Sequence, residues 1–238
     1  MLDAKRLLDQ FVGGQGAGPG SGEFLRRMGG GALAGGLAAL LLGTRTGRKL
    51  GGSALKLGGM AAVGALAYKA YRDWQAGKTA APGGQAPRPS SLPLPPAPAG
   101  TPFNPADEAG QQTLARDLLR AMIAAAKADG HIDAREQARV LAEMDKLDLA
   151  IDDKAFVVDE LRAKLDIDAV AASATTPEKA AEIYAASLLA IDVDNVAERS
   201  YLAMLAARLN LDDTLVAHLH QSVADATAKE PARSLPSA

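Results

Sequence analysis

The chain has 238 residues, enough for one or two domains, and contains 48% hydrophobic but only 4% aromatic residues, a composition that favours helices over strands. It contains no cysteine, which excludes disulfides, thiolate metal sites and cysteine nucleophiles. Its net charge of −2 hides an uneven distribution of charge along the sequence.

Charge divides the chain into a basic front and an acidic back. Residues 1–80 contain eleven Lys and Arg against four Asp and Glu, whereas residues 106–238 contain fourteen against twenty-four. Residues 77–105 separate the two parts and hold most of the thirteen prolines. Because such a stretch buries no core and favours extended conformations, we predict a disordered linker there. The acidic back half also argues against binding to nucleic acid.

The first predicted segment, residues 1–27, combines a short amphipathic helix with a flexible, glycine-rich loop. One side of the helical pattern carries Leu2, Leu7, Leu8 and Phe11. Acidic residues within this leading segment make a cleaved signal peptide a poor interpretation.

Residues 28–76 form a glycine-rich apolar stretch, and we predict that it contacts a lipid bilayer as one span or as a hairpin. The run 28–44 has no charge and is flanked by arginines. As a helix it would be about 25 Å long, slightly short of the roughly 30 Å hydrocarbon core. Its glycines favour close helix packing in lipid, which would also support a homo-oligomer through these helices.

A second apolar run, residues 50–68, precedes an aromatic cluster of Tyr68, Tyr71 and Trp74 beside cations. Aromatic rings and cations together are typical of a membrane interface. The alternative is a helical hairpin, rich in Gly and Ala, that packs on the back domain in water.

Positive charge on both flanks of the apolar stretch gives no clear orientation in the membrane. We expect the acidic domain on the cytoplasmic side, where the linker would hold it away from an anionic membrane surface.

Residues 106–228 have the periodicity of an all-α domain. Apolar residues at helical spacing predict a first helix at 105–128. Capping residues predict five more helices. These begin at Asp133, Asp152, Thr176, Asn195 and Asp212 and end near residues 149, 165, 191, 209 and 226. The last residues, 229–238, are predicted to be a disordered tail.

The all-α domain repeats at an offset of 62 residues. This shift aligns Ala124 with Ala186, Ala128 with Ala190, Asp133 with Asn195, Glu136 with Glu198, Leu147 with Leu209, and Leu149 with Leu211. We infer an internal duplication, with two halves related by pseudo-twofold symmetry.

Residues 126–136 and 197–212 resemble the TerB-like, tellurite-resistance family. The order of glycine-rich segment, proline-rich linker and helical domain resembles the YebE-type inner-membrane proteins of unknown function. The resemblance implies a seven-helix bundle at a bacterial inner (cytoplasmic) membrane, a link with stress, and clustered acids that bind divalent cations. The family's two acidic junctions correspond to Asp129, Asp133 and Glu136 and to Asp192, Asp194 and Glu198. Asn195 departs from the pattern, because the first copy has an aspartate at the aligned position.

The chemistry of these acids leaves two interpretations open. Ca²⁺ and Mg²⁺ prefer oxygen ligands, and the two trios would form one shared site if the symmetry axis brings them together. Alternatively, Asp133 and Glu136 form a capping box and the other acids end helices in solvent. The spacing of an EF-hand loop is absent. His131 lacks a second nearby histidine, and His218 and His220 point to different faces of a helix.

The predicted function is therefore a membrane-anchored binding or scaffold module that docks a protein partner, with a divalent cation (Ca²⁺ or Mg²⁺) as its candidate cofactor. No nucleophile or substrate loop indicates an enzyme. The alternative is a metal-dependent hydrolase that uses the clustered acids.

Overall fold

The structure, a computed structural model, describes residues 3–13, 59–79, 96–128, 151–191 and 196–227. Within these ranges the chain forms eight helices and no strand, which confirms the predicted all-α class. The helices are α1 (Ala4–Gly13), α2 (Gly59–Thr79), α3 (Glu108–Ala126), α4 (Ile151–Arg162), α5 (Ile167–Ala172), α6 (Pro177–Leu189), α7 (Val196–Arg208) and α8 (Asp213–Thr227).

Helices α3 and α6 pack against each other at the centre of the bundle. Both carry alanines and large aliphatic side chains that are almost fully buried, so the two helices approach closely around a continuous core. They are the first helices of the two predicted repeats, and the aligned pair Ala124 and Ala186 is buried on both.

Helix starts follow local capping chemistry. The Thr176 side chain accepts a hydrogen bond from the backbone N–H of Lys179 (3.2 Å), and Pro177 opens α6 as predicted. The Asp166 side chain caps α5 in the same way, although the sequence pattern left this short helix unrecognised. Asp152 lies in the first turn of α4, which begins at Ile151, and so it is not the residue that precedes the helix. The predicted helix at 133–149 and the tail at 229–238 lie outside the described residues.

Helix α1 docks on α2 and α3. Leu7 and Leu8 are 0% exposed, so the apolar side of this amphipathic helix faces the core of the bundle. Polar contacts fix its start, because the Asp3 N–H donates to Asp153 of α4 (2.6 Å) and the Gln112 amide donates to the Asp3 carboxylate (3.0 Å). The Gln112 hydrogen bond is the main cause that lowers the pKa of Asp3.

Helix α2 packs on α6 and α8 through the last part of the second apolar run. Its buried side chains include Met60, Val63, Leu66 and Tyr71. Of the helices in the described ranges, none is both long enough and apolar enough to cross a membrane. The run 28–44 lies outside those ranges.

The aromatic cluster of α2 packs against protein. The rings of Tyr68 and Tyr71 each lie 5.6 Å from the ring of Phe103, centroid to centroid, and the Trp74 indole N–H donates to Asp212 (3.3 Å). Phe103 is buried beneath the two tyrosines. These contacts account for the cluster, in place of the membrane interface inferred from its composition.

The end of the predicted linker is ordered as a turn at residues 96–104. The Gly100 N–H donates to the Asn104 carbonyl (2.8 Å), and the Asn104 amide donates to the Ala97 carbonyl (3.1 Å). Gly64 of α2 lies directly against this turn, since a methyl group there would be 2.6 Å from the carbonyl oxygen of Phe103. Helices α1 and α2, the end of the linker and the later helices of the described bundle therefore share one core.

Helix α1 contacts the start of α2, although residues 14–58 separate them in sequence. The Asp9 carboxylate of α1 accepts a hydrogen bond from the backbone N–H of Met60 in the first turn of α2 (3.2 Å). The end of α1 and the start of α2 therefore lie close together in the bundle.

We predict that Leu7→Ala and Leu8→Ala each lower the free energy of unfolding of the full chain by about 2–5 kcal/mol, the usual cost of truncating a fully buried leucine. Urea unfolding followed by circular dichroism measures this loss. Leu165→Ala is the matched control, because Leu165 is 37% exposed and its truncation should cost about 0.5 kcal/mol or less. Equal losses at all three positions would contradict the docking of α1.

Candidate functional site

The structure describes one of the six predicted cation ligands. Glu198 is buried in the first turn of α7. The other five, Asp129, Asp133, Glu136, Asp192 and Asp194, lie outside the described residues. Among the residues that the structure describes, no group of three His, Asp or Glu side chains is arranged to hold a metal ion. The predicted cation site therefore stays a prediction.

A groove of about 440 Å³ lies between α6, α7 and α8 of the described bundle. This volume lies within the range of ligand-binding clefts, roughly 300–1,000 Å³. The groove is lined by Tyr184, Arg199, Leu202, Ala203, Ala206, Ala207, Leu211, Asp213, Val216 and His220.

The walls of the groove are apolar because of the side chains that α7 presents. Ala203, Ala206 and Ala207 recur at helical spacing, and their short side chains leave the hollow open. Two large apolar side chains of the same helix, Val196 and Met204, are 68% and 51% exposed. Helix α7 therefore combines a small-residue hollow with two exposed apolar side chains.

A polar pair lies among the lining residues of the groove. The Tyr184 hydroxyl and His220 Nε2 are joined by a hydrogen bond of 2.9 Å. Burial raises the pKa of Tyr184 to about 12 and lowers the pKa of His220. Both groups are therefore neutral near neutral pH, so this part of the lining offers hydrogen bonding without charge.

Opposite charges border the groove. Arg199 lies in the early part of α7, whereas Asp213 opens α8 beyond the turn that ends α7. Arg199 and Ala207 lie about 12 Å apart along the axis of α7. Because Asp213 comes after the end of this helix, the basic and acidic borders lie at different ends of the groove. A bound segment would meet a cation near one end and an anion near the other.

A second, smaller cleft of about 260 Å³ lies between α1, α2 and the 96–104 turn. Its lining includes Lys5, Asp9, Met60 and Phe103. The hydrogen bond between Asp9 and Met60 places this cleft at the contact between α1 and the start of α2.

The core contains a buried acid, Glu182, that was not among the predicted site residues. Glu182 of α6 is 0% exposed, and burial raises its pKa well above the ordinary value, with Lys179 opposing this effect. The Lys179 ammonium is itself paired with Asp117 of α3 (2.6 Å). The sequence does indicate a buried acid here, because Glu182 is the one charged residue in the apolar run 180–191.

We predict that His220 makes a contribution to stability that is lost as pH drops below the ordinary histidine pKa of 6.5. The folded pKa of His220 is lowered, so the unfolded chain takes up a proton first, and the unfolding constant rises by at most about tenfold per pH unit. In thermal unfolding between about pH 8 and pH 5, His220→Gln should reduce this loss while its amide still bonds Tyr184. His218→Gln is the control, and a wild-type profile parallel to that of His220→Gln would contradict the prediction.

Comparison with known proteins gives one family and one curated relative. The family described as "Protein of unknown function (DUF533)" matches residues 27–223. A protein of Yersinia enterocolitica described as "Uncharacterized protein in ampR 5'region" is 29% identical over 106 residues, which cover 44% of this chain and 76% of the relative. No solved structure shows a significant match.

Proposed function

We propose that this chain, which belongs to the DUF533 family of proteins of unknown function, is a non-catalytic helical binding module. Its groove between α6, α7 and α8 would hold an apolar segment of a partner protein. The observation that carries the proposal is the groove itself, with an alanine-lined hollow, a neutral polar pair and a border of opposite charges.

The chemistry of the groove specifies the partner segment. An amphipathic helix is the recurring ligand of such grooves, with a bulky aliphatic side chain as its anchor. The hollow formed by Ala203, Ala206 and Ala207 would receive this anchor. An acidic residue of the partner near Arg199 and a basic residue near Asp213 would fix the direction of the helix.

Catalysis is less well supported by the same groove. His220 bonds Tyr184, whose hydroxyl is held in its neutral form by burial, so the pair contains no activated nucleophile. For the metal-dependent hydrolase, no specific observation in the described part of the bundle favours a metal centre. Binding of Ca²⁺ or Mg²⁺ by the two acidic trios, a TerB-like identity for the bundle and a role in stress remain proposals based on the resemblance.

We further propose that residues 28–44 attach the bundle to one face of a membrane without crossing it. Both helices that flank segment 14–58 pack in the same core, so the chain must return to the side that it left. The fourteen residues 45–58 contain four cations. A second span needs about 20 predominantly apolar residues. A single crossing would place α1 and α2 on opposite sides of the membrane, which is incompatible with their shared core. A second crossing, which would bring the chain back, does not fit in residues 45–58.

This attachment refines the predicted location. The proposal keeps the cytoplasmic face of a bacterial inner membrane, the lipid bilayer as a partner, and self-association through the glycine-rich residues. The groove is lined by residues of α6, α7, α8 and the turn between α7 and α8, and we propose that it stays open to a protein partner when the bundle is attached.

To test the groove, we would measure binding of anilinonaphthalene sulfonate by fluorescence. Its fused rings stand in for an apolar anchor and its sulfonate for an acidic residue near Arg199. Ala203→Trp fills the hollow from an exposed position on α7. We expect binding at least about tenfold weaker, a loss of about 1.4 kcal/mol.

The matched control is Ala109→Trp, which adds the same side chain at an exposed position on α3, outside the groove. It should bind the probe as the wild type does. Equal binding by both variants and the wild type would contradict the groove as the binding site.

To test the one-sided attachment, we would place single cysteines at Ser21 and Ser53 and label them with a membrane-impermeant maleimide in oriented vesicles. The chain contains no natural cysteine, so each thiol is unique. We expect both positions to react from the cytoplasmic side. Labelling from opposite sides would contradict the proposal, because it would require residues 28–44 to cross the bilayer.

A further inference from the structure

Glu182 lies in a position that a carboxylate ordinarily avoids. Its side chain is 0% exposed on the face of α6 that meets α2, and neither carboxyl oxygen has a hydrogen-bond partner among the described residues. A buried, unpaired carboxylate costs several kcal/mol, whereas the neutral acid avoids most of that cost.

A second oxygen, which accepts no backbone hydrogen bond within the described residues, lies close to Glu182 at Gly64. A methyl group on Gly64 would be 2.6 Å from the carbonyl oxygen of Phe103 and 3.4 Å from Glu182 Oε1, so both oxygens lie near the same point. In the described turn, the Phe103 carbonyl accepts no backbone hydrogen bond. Two hydrogen-bond acceptors without a donor repel each other. A single proton on the carboxyl group would let one oxygen donate a hydrogen bond to the other.

We propose that Glu182 is a carboxylic acid in the folded protein and that its O–H donates a hydrogen bond to the carbonyl oxygen of Phe103 across Gly64. The proton joins α6 to the 96–104 turn at the point where α2 packs between them. Gly64 is required there because a Cβ atom at this position would clash with the carbonyl oxygen of Phe103.

The surrounding charges are consistent with a neutral acid. On its own helix, Glu178 disfavours ionisation of Glu182 and Lys179 favours it. From α3, Asp117 pairs with Lys179 and so opposes the effect of that cation. From α2, Tyr71 lies beside Glu178, and burial followed by this neighbour raises the pKa of the phenol. The 96–104 turn contributes the uncharged Phe103 carbonyl.

The consequence is a pH-sensitive contact on α2, the helix that follows the segment proposed to attach to a membrane. Helix α2 directly follows residues 14–58, and the Glu182 proton helps to hold it in the bundle. Loss of the proton would place a carboxylate against a carbonyl oxygen in a dry core and weaken the docking of α2. This inference does not depend on the groove between α6, α7 and α8.

Infrared spectroscopy of the full chain tests the protonation directly. With glutamate labelled by ¹³C at the side-chain carboxyl, we expect a carboxylic-acid carbonyl band at neutral pH that is lost in Glu182→Gln. Absence of the band from the wild type, or its persistence at full intensity in Glu182→Gln, would overturn the proposal. If Glu182→Gln does not fold, a ¹³C NMR titration of the labelled wild type replaces it, and titration of every glutamate near the ordinary value of 4.5 would be the contrary result.

The pH dependence of unfolding provides the second readout. The pKa of Glu182 is raised in the folded protein. The stabilisation that its proton provides is therefore fully present below about pH 4.5 and is lost as pH rises towards the folded pKa. Relative to Glu182→Gln, whose amide still donates to Phe103, the unfolding constant of the wild type should increase by about tenfold per pH unit in this window. Parallel profiles for the two proteins would overturn the proposal.

Discussion

The bundle depends on how the faces of α3 and α6 are covered. These helices contact each other through alanines and aliphatic side chains, and their remaining apolar surface needs further helices to remove it from water. Helices α1 and α2 supply that cover, although more than forty residues separate them from each other and a proline-rich stretch separates both from α3. Helices α1 and α2, which come from the basic front of the chain, are thus structurally part of the acidic domain.

This constraint connects the parts of the functional account. Helices α1 and α2, which flank segment 14–58, are held in one core and joined by the hydrogen bond between Asp9 and Met60. The membrane attachment that we propose through this segment would therefore be one-sided. Because α2 also packs on α8, it supports a helix that lines the groove. The proposed proton-dependent contact of Glu182 is made at the same helix, so both proposals concern the docking of α2.

Local chemistry was predictable from the sequence, whereas long-range packing was not. Thr176 with Pro177 marks a helix start because the capping hydrogen bond spans only three residues. The cluster around Tyr68 was misinterpreted because rings beside cations suit a membrane interface as well as a protein core, and its partner Phe103 lies beyond the proline-rich stretch. The groove was missed for a related reason, since its alanines become a hollow only when α6 and α8 are placed around them.

The central claim is that α1 and α2 belong to the same folding unit as α3 to α8. The most direct test compares urea unfolding of the full chain with that of a fragment containing residues 96–227, followed by circular dichroism. The account predicts that the fragment loses the cooperative transition, because the surfaces of α3, α6 and α8 that α1 and α2 cover become exposed to water. A fragment that unfolds cooperatively with the stability of the full chain would contradict the account.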